Sequence, residues 1–401
     1  MKIAIVTFGF NGERPGGVHK VTIKILEFLS KGVDHDIKIV SFSNTVYDKH
    51  SIALFRPKTF RNKLVSSDEL VLGIPLIRIG SIGSELEALR YRKRWELKKF
   101  FNQFDLVIVV TGFLQFANVI PKTKHPVIVQ CATRLIWERQ SQYHSMSLLK
   151  RTILYLQRPI LAVQEWRVVR ANILFLPENS KMKEWITLRS LYKPTMWYPG
   201  VIPPAQILKE THFPHENGHF ISIGRFSEPR KGWARLFLAY KHAFDSNNSL
   251  PDLVVVGWGS FSQEVQLLLD QLTPHYPIRV LANLSNEQRD DQIRSASYFL
   301  QTSYEEGLGL AALEALSFGV PLICSDTDGS REYVHQGKSG ILVAQGANFN
   351  IEFGKAIVQS QTWDYSTLHR GSKHIFNEVF NDEISQRCLI EIIERVFEKS
   401  K

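Results

Sequence analysis

The stretch YEEGLGLAALEALSFGVPLICSDTDGS, residues 304–330, decides the fold. It has the pattern of a glycine-rich loop, a short apolar helix, a glycine stop, an apolar strand and a polar turn, which is typical of an α/β protein. Glu314 interrupts the apolar helix, and Glu306 lies in the loop before it. Because an unpaired buried carboxylate costs several kcal/mol, both side chains need partners.

Short apolar runs rich in β-branched residues recur along the whole chain. Runs this short fit parallel strands that are buried on both faces, and the segments between them fit crossover helices. The sequence therefore predicts an α/β fold with two Rossmann-like doubly wound domains. The predicted strands are 2–8, 36–42, 105–110, 126–131 and 172–177 in the first half, and 219–224, 252–257, 277–281, 298–302, 320–324 and 339–344 in the second.

A proline- and glycine-bearing stretch, KPTMWYPGVIPP at 193–204, separates the two sets of strands and marks a domain boundary. We place the N-terminal domain at 1–197 and the C-terminal domain at 198–382. The last segment, 383–401, has the apolar stripe of an amphipathic helix. Its periodicity leaves open whether this helix crosses back to the N-terminal domain.

Positive charge is concentrated in the first half of the chain. Residues 1–200 contain 31 Lys and Arg against 15 Asp and Glu, whereas residues 201–401 contain 18 against 24. An anionic partner would explain this asymmetry, as would a solvated basic face. No nucleic-acid recognition module is apparent, so we expect no nucleic acid. Basic residues alternate with leucines and tryptophans in 90–99 and 134–170, which suits a helix on an anionic membrane or plain packing with arginines facing water.

The cysteines and the N-terminus indicate a cytoplasmic protein. Three cysteines lie in apolar runs without Cys-x-x-Cys spacing, which favours reduced thiols over disulfides or a zinc site. The segment MKIAIVTFGFNG reads as a first strand rather than a signal peptide. No apolar run approaches the roughly 20 residues of a membrane-spanning helix. Peripheral association with the inner face of the membrane is the remaining membrane hypothesis.

Two glycine-containing turns carry candidate anion-binding residues. Gly16 and Gly17 precede an amphipathic helix, where backbone N–H groups can approach an anion. Arg225 ends one predicted strand and Lys231 opens the next helix, an arrangement of cations that is unfavourable unless an anion lies between them. Arg and Lys are the usual ligands of phosphate. There is no G-x-G-x-x-G fingerprint and no P-loop, which argues against a nicotinamide dehydrogenase.

The helix after the glycine-rich loop supplies a third candidate site. If it begins near Leu310, Glu314 lies about one turn in, and Glu306 stays in the loop at its mouth. Carboxylates only accept hydrogen bonds, so they suit the hydroxyl pairs of a ribose or hexose. The first-turn N–H groups of Gly309, Leu310 and Ala311 can meet a phosphate. An alternative is that each glutamate is simply paired with a neighbouring arginine.

Taken together, GRFSEPRKG at 224–232, EGLGLAALE at 306–314, and the later GVPLICSDTDGSREYV and GKSGILV resemble the retaining glycosyltransferases of family 4. Their E-x7-E pattern corresponds to Glu306 and Glu314. The resemblance implies the GT-B fold, in which two Rossmann-like domains face each other across a cleft. It makes the N-terminal domain acceptor-binding and the C-terminal domain nucleotide-sugar-binding.

The resemblance also implies roles for the site residues. Arg225, Lys231 and Glu306 are the candidate catalytic residues; the two cations hold the donor's diphosphate, and Glu306 contacts the transferred sugar. Glu314 is expected to bind the ribose. The remaining donor-binding candidates are Gly16, Gly17, Gly309, Leu310 and Ala311. No metal and no cofactor besides the nucleotide-sugar co-substrate are expected.

The chain departs from the family at one point. Many members have a histidine after the strand that corresponds to 126–131, whereas this chain has VIVQCATRLIWERQ there. Gln130, Thr133 and Arg134 are the nearby polar residues, and Arg134 is a candidate for an anionic acceptor. The sequence thus predicts a metal-independent retaining enzyme that moves a sugar from a UDP- or GDP-sugar to a glycan or lipid-linked acceptor of the cell surface. The alternatives are a small soluble acceptor, or a catalytically silent GT-B subunit that binds nucleotide or carbohydrate.

Overall fold

The computed structural model describes residues 1–10, 16–31, 35–43, 48–139, 146–201 and 218–398. The chain divides into two compact units. The first contains Met1–Pro199 and Gln386–Lys401, and the second contains Gly200–Ser385. The division at 199/200 falls in the same proline- and glycine-bearing stretch in which the sequence places it, and residues from 386 onward group with the first unit.

The first unit is built on a seven-stranded sheet in the order β3-β4-β2-β1-β5-β6-β7. Strand β3 runs antiparallel to β4, and the other neighbours are parallel. Without β3 this is the strand order of a doubly wound nucleotide-binding sheet, with its switch point between β1 and β5. The strands are β1 Lys2–Phe8, β2 Asp36–Phe42, β3 Val65–Val71, β4 Ile74–Ile79, β5 Leu106–Phe113, β6 Val127–Thr133 and β7 Leu174–Pro177.

The helices of this unit pack against the sheet through apolar faces. Helix α1 buries Val21, Ile25 and Leu26 among others, at the spacing that puts side chains on one helix face. Asn179 caps α6 because its side chain accepts a hydrogen bond from the Met182 N–H at 2.8 Å. The helices are α1 Gly17–Ser30, α2 Glu87–Arg90, α3 Lys98–Phe101, α4 Leu135–Glu138, α5 Leu148–Val169 and α6 Ser180–Thr187.

The second unit has a six-stranded parallel sheet in the order β10-β9-β8-β11-β12-β13. Its strand order also reverses once, between β8 and β11, which is the switch point of a doubly wound sheet. The residues of β11 are all buried, as the apolar run predicts. The strands are β8 His219–Arg225, β9 Leu253–Trp258, β10 Ile278–Ala282, β11 Ala296–Gln301, β12 Leu322–Ser325 and β13 Gly340–Val343.

Seven further helices complete the described fold. The last helix begins in the second unit, and from residue 386 onward it groups with the first. There the Gln386 side-chain amide donates to the carbonyl of Phe28 at 3.3 Å, and Leu389, Ile392 and Ile393 are buried. The helices are α7 Trp233–Ser246, α8 Gln263–Leu272, α9 Asn286–Arg294, α10 Leu310–Ser317, α11 Phe349–Ser360, α12 Tyr365–Ile375 and α13 Asp382–Glu398.

Candidate functional site

The candidate residues of the second unit meet at the switch point of its sheet. Arg225 is the last residue of β8, as the sequence predicts. The loop 302–309, which contains Glu306, follows the neighbouring strand β11. Ligands of open α/β sheets bind outside the carboxyl ends of the strands at such a point. The topology therefore places the two predicted motifs side by side in the position where a ligand is expected.

Hydrogen bonds to backbone carbonyls hold the two loops together. The Tyr304 N–H donates to the carbonyl of Arg230 at 2.8 Å, and the Thr302 hydroxyl donates to the carbonyl of Gly232 at 3.1 Å. Gly232 caps α7 with a positive φ of 68°, and a Cβ there would lie 2.3 Å from the Thr302 carbonyl oxygen. Only glycine fits this close approach. Helix α7 therefore begins at Trp233, two residues after Lys231, which lies in the preceding 3₁₀ turn.

Glu306 is buried and has two cationic partners. One carboxylate oxygen accepts from the Lys231 ammonium, and the other accepts from the Arg230 guanidinium at 2.8 Å. Both partners come from the turn after β8. In this structure Glu306 is thus paired with a neighbouring arginine, which is the alternative that the sequence left open. Its carboxylate is held in one orientation by a salt bridge on each oxygen.

Arg225 also has a carboxylate partner. Its guanidinium pairs with one oxygen of Glu228, and the other oxygen of Glu228 lies 3.1 Å from the Arg230 guanidinium. The five side chains form a row of alternating charge that runs from Arg225 through Glu228, Arg230 and Glu306 to Lys231. In this structure two carboxylates of the chain itself supply the negative charge that the sequence argument requires between Arg225 and Lys231.

The Glu306 ion pairs make stability depend on pH. Burial raises the pKa of Glu306, but Lys231 and Arg230 lower it, to about 2. A depressed pKa contributes stability that is present above the usual value of 4.5 and is lost as the pH falls toward 2. We expect this group to remove about 2 kcal/mol from the free energy of unfolding between about pH 5 and about pH 3.

Chemical denaturation at the two pH values measures this effect. Glu306→Gln should be less sensitive to acid by that amount, because the amide cannot be protonated in this range. Glu352→Gln is the matched control, since Glu352 forms an exposed ion pair with Lys355, and such pairs contribute little. An acid sensitivity of Glu306→Gln equal to that of the wild type would contradict the assignment.

Helix α10 begins at Leu310, as expected, and Gly309 precedes it with a φ of 91°. Leu310 and Ala311 form its first turn, where N–H groups have no partner within the helix. Glu314 lies one turn in, and its carboxylate is 3.7 Å from the Arg289 guanidinium of α9. This distance is longer than a hydrogen bond. The carboxylate is largely but not fully buried, so it can still accept hydrogen bonds from a ligand.

The first unit contains the other candidates. Gly16 is the residue before α1, which begins at Gly17, and its backbone is extended with a φ of −77°. Residues 11–15 of the same loop lie outside the described part. The Arg134 guanidinium binds Glu165 through two hydrogen bonds and lies 4.1 Å from the centre of the Trp185 ring. An acceptor role for Arg134 stays a prediction. In this structure its guanidinium is already bound to the buried Glu165 carboxylate.

Glu178 lies beside β6, the strand that no histidine follows in VIVQCATRLIWERQ. It follows β7 and accepts a hydrogen bond from the side-chain amide of Gln130 in β6. Burial raises the pKa of Glu178 to about 8, although the bond from Gln130 lowers it. The sequence interpretation named Gln130 and missed Glu178, which is 48 residues away. It also missed Glu228, Arg230 and Arg289; the first two lie within the quoted GRFSEPRKG motif.

Part of the chain matches a family of known proteins. Residues 205–352 match the family model of glycosyl transferases group 1. A phosphatidyl-myo-inositol mannosyltransferase of Mycobacterium leprae is 27% identical over 135 residues, 33% of this chain and 35% of that protein. The O-antigen chain mannosyltransferase B of Escherichia coli is 31% identical over 126 residues, 31% of this chain and 32% of that protein. The chain thus spans about a third of the length of these curated relatives.

Solved structures extend the likeness to both units. WaaG, a glycosyltransferase involved in lipopolysaccharide biosynthesis, covers 96% of this chain and 98% of its own, with a TM-score of 0.65 and 15% identity. Anabaena Alr3699/HepE in complex with UDP covers 98% of this chain and all of its own, with a TM-score of 0.65 and 14% identity. At these identities the likeness concerns the fold. The chain has the GT-B fold predicted from its sequence, and its residues 205–352 match group 1 of the glycosyl transferases.

Proposed function

We propose that the protein is a retaining glycosyltransferase of family 4 that moves a sugar from a nucleotide diphosphate sugar to a glycan or lipid-linked acceptor. The observation that carries this proposal is the convergence of Arg225, Lys231, Glu306 and the start of α10 at one switch point. This group of residues lies in the segment that matches the glycosyl transferase family model.

The two cations and the helix start suit the charge that develops on a leaving diphosphate. Fixed donors aimed at a developing anion are commonly the largest single contribution to catalysis. Arg225 offers a forked guanidinium and Lys231 a point charge, while the first-turn N–H groups of α10 add the positive end of a helix dipole. A diphosphate bound here would compete with Glu228 for Arg225 and with Glu306 for Lys231.

Arg230 keeps both carboxylates paired during that competition. It contacts Glu228 at 3.1 Å and Glu306 at 2.8 Å. If the diphosphate draws Arg225 and Lys231 away, each carboxylate still has this partner, and Glu306 stays ionised in its buried position. An ionised Glu306 can accept hydrogen bonds from the hydroxyl groups of the transferred sugar. We assign Arg230 to positioning Glu306 rather than to the diphosphate.

The remaining parts of the proposal concern metal, acceptor and location. The chain has two Asp-x-Asp triplets, at 34–36 and 326–328; the Asp326 carboxylate in the second is bound bidentately by Arg331. We propose that transfer needs no metal ion, so activity should persist in a chelator. The names of the relatives support an acceptor in cell-surface polysaccharide, lipopolysaccharide or glycolipid synthesis. We place the protein in the cytoplasm, on the inner face of the membrane.

Thermal unfolding in the presence of UDP, GDP and their sugars tests donor binding. A ligand that binds only the folded state stabilises it by mass action, so one nucleotide series should raise the unfolding temperature. Glu314→Gln should weaken this binding by about 10-fold, because an amide oxygen accepts from ribose hydroxyls more weakly than a carboxylate. The variant should unfold at the wild-type temperature without ligand.

Glu332→Gln is a matched control for Glu314, since it removes the same charge from the 3₁₀ turn at 330–332. Equal affinities of wild type and Glu314→Gln would contradict the ribose assignment. Slow donor hydrolysis separates an enzyme from a silent subunit. Tight nucleotide binding without hydrolysis or transfer, across soluble and lipid-linked acceptors, would overturn the enzyme proposal.

A further inference from the structure

Helix α5 exposes many of its apolar side chains on one face. Leu148, Leu149 and Leu156 are 81%, 73% and 70% exposed, and Trp166 is 62% exposed. The same outward surface includes Tyr155, Ile160 and Val163. Monomeric soluble proteins rarely expose a continuous apolar patch of this kind, and such patches mark interaction sites.

The inner face of α5 is fixed by polar contacts. The Gln157 side-chain oxygen accepts from the Ala88 N–H at 3.0 Å, and the Gln164 amide donates to the Ala88 carbonyl at 2.7 Å. Glu165, one turn after Leu161, forms the buried ion pair with Arg134. These specific bonds define which face of the helix is inside. The exposed leucines are therefore a property of the fold and not of a helix that could rotate to bury them.

The exposed charges of helix α5 have one sign. Helix α5 and its C-cap contain five basic side chains, at Lys150, Arg151, Arg158, Arg167 and Arg170. The only acidic side chain of the helix is Glu165, which is buried in its ion pair. Arginines that flank an exposed apolar face are typical of helices that lie in the interface of an anionic bilayer.

A second basic segment meets the end of α5. Burial and the neighbouring Arg167 guanidinium lower the pKa of Lys93, so the two cations are close enough to repel each other. The Lys93 ammonium lies 5.3 Å from the centre of the exposed Trp95 ring. Within the described ranges, neither Lys93 nor Arg167 contacts a carboxylate. Two close cations beside exposed Trp95 and Trp166 suit the phosphates and interface of a lipid layer.

We propose that the outer face of α5, together with Lys93 and Trp95, docks on a bilayer that contains anionic lipid. None of the helices in the described ranges is long and apolar enough to span a membrane, which fits a helix that lies on the surface. A second copy of the chain is a poorer partner, because it would bring the same cations face to face. The purpose of this docking, to bring the enzyme to a lipid-linked acceptor, rests on the proposed function. The docking surface itself does not.

Co-sedimentation of the full chain with vesicles tests the proposal. Wild type should bind vesicles of phosphatidylcholine with phosphatidylglycerol, and should bind phosphatidylcholine alone far less. Lys93→Gln with Arg167→Gln should reduce binding to the anionic vesicles by about 30-fold, from about 1 kcal/mol for each cation near the surface. Leu156→Glu should reduce it at least as much, because a charge replaces an inserted apolar side chain.

Matched variants in the second unit provide the controls. Leu267→Glu changes an equally apolar residue that is 55% exposed in α8, and Lys241→Gln with Lys355→Gln removes two exposed cations. Both should bind as the wild type does. Equal binding by the α5 variants and their controls, or no binding by the wild type, would overturn the proposal. So would a wild-type dimer in sedimentation equilibrium that Leu156→Glu dissociates while vesicle binding is unchanged.

Nucleotide-induced stabilisation, measured on the same variants, keeps this proposal separate from the proposed function. The α5 variants should retain it, because α5 contains none of the donor candidates, which lie at the start of α1 and in the second unit. Vesicle binding without any nucleotide binding would leave the docking surface standing and count against the glycosyltransferase. Nucleotide binding without vesicle binding would overturn the docking surface and leave the proposed glycosyltransferase standing.

Discussion

Replacing Lys231 with alanine should lower the rate of donor hydrolysis by about 10²–10³-fold, and Arg225→Ala should have an effect of the same order. Both side chains are proposed to face the diphosphate, where negative charge increases as the sugar leaves. The loss should appear mainly in kcat, because an interaction that strengthens in the transition state affects the rate more than ground-state binding. Initial rates of nucleotide release, at several donor concentrations, measure both parameters.

The fold must survive for this result to be interpreted. Lys231→Ala leaves Glu306 with Arg230 at 2.8 Å, so the buried carboxylate keeps a partner and the protein should still fold. Lys231→Met is a second variant that retains the packing of the side-chain stem without the charge. Lys241→Ala is the control, since Lys241 lies on α7 in an exposed pair with Asp245. Rates within about threefold of the wild type in folded Lys231 and Arg225 variants would contradict the electrostatic role.

The fold could be predicted largely from buried strands. All eleven predicted strands occur, because strands buried on both faces leave a continuous apolar signal. Strands β3 and β4 were not predicted. The first has the sequence VSSDELV and lies at the sheet edge, where one side faces water and polar residues are tolerated. The second has the sequence IPLIRI, with a proline at its second position. It also contains Arg78, whose guanidinium pairs with Glu69 of β3.

The places of the candidate residues on their strands and helices were predicted, but the ion pairs between these residues were not. Residue spacing places Glu314 one turn into α10 and Arg225 at the end of β8, since both depend on local structure. The partners of Glu306 depend on the register of two loops separated by 76 residues. Local patterns in a single sequence do not show which loops come together across such a separation. The row of charges from Arg225 to Lys231 therefore appears only when β8 and β11 lie side by side.

The predicted acceptor residue shows the same limit. Arg134 follows a strand end, as a ligand-binding residue would, and nothing in its neighbourhood in the sequence marks a partner. Glu165 lies 31 residues away on α5, and its two carboxylate oxygens accept from Nε and Nη2 of the Arg134 guanidinium. The same contact fixes the inner face of α5 and thereby exposes its leucines. One ion pair thus argues against a free cation at Arg134 and supports the surface proposed for α5.

Gly309→Ala should lower the free energy of unfolding by about 3 kcal/mol. The φ of 91° alone costs a residue with a Cβ about 1–2 kcal/mol. A Cβ at this position would also lie 2.6 Å from the Tyr333 hydroxyl and 3.3 Å from Cγ of Glu306. Forcing an extra carbon into such a packed place typically adds about 1–3 kcal/mol. Tyr333 is buried and bonded to Gln301, so it has little room to move.

Gly337→Ala separates the two causes of this loss. Gly337 has a φ of 72°, but nothing lies within 4 Å of a Cβ built on it, so that variant should lose only the backbone part, about 1 kcal/mol. Chemical denaturation of both variants measures the difference. Donor hydrolysis gives a second readout, because a Cβ at Gly309 pushes on Glu306, whereas Gly337 does not contact it. Equal stability losses in the two variants would mean that the site tolerates the added carbon and that Glu306 is not held by this packing.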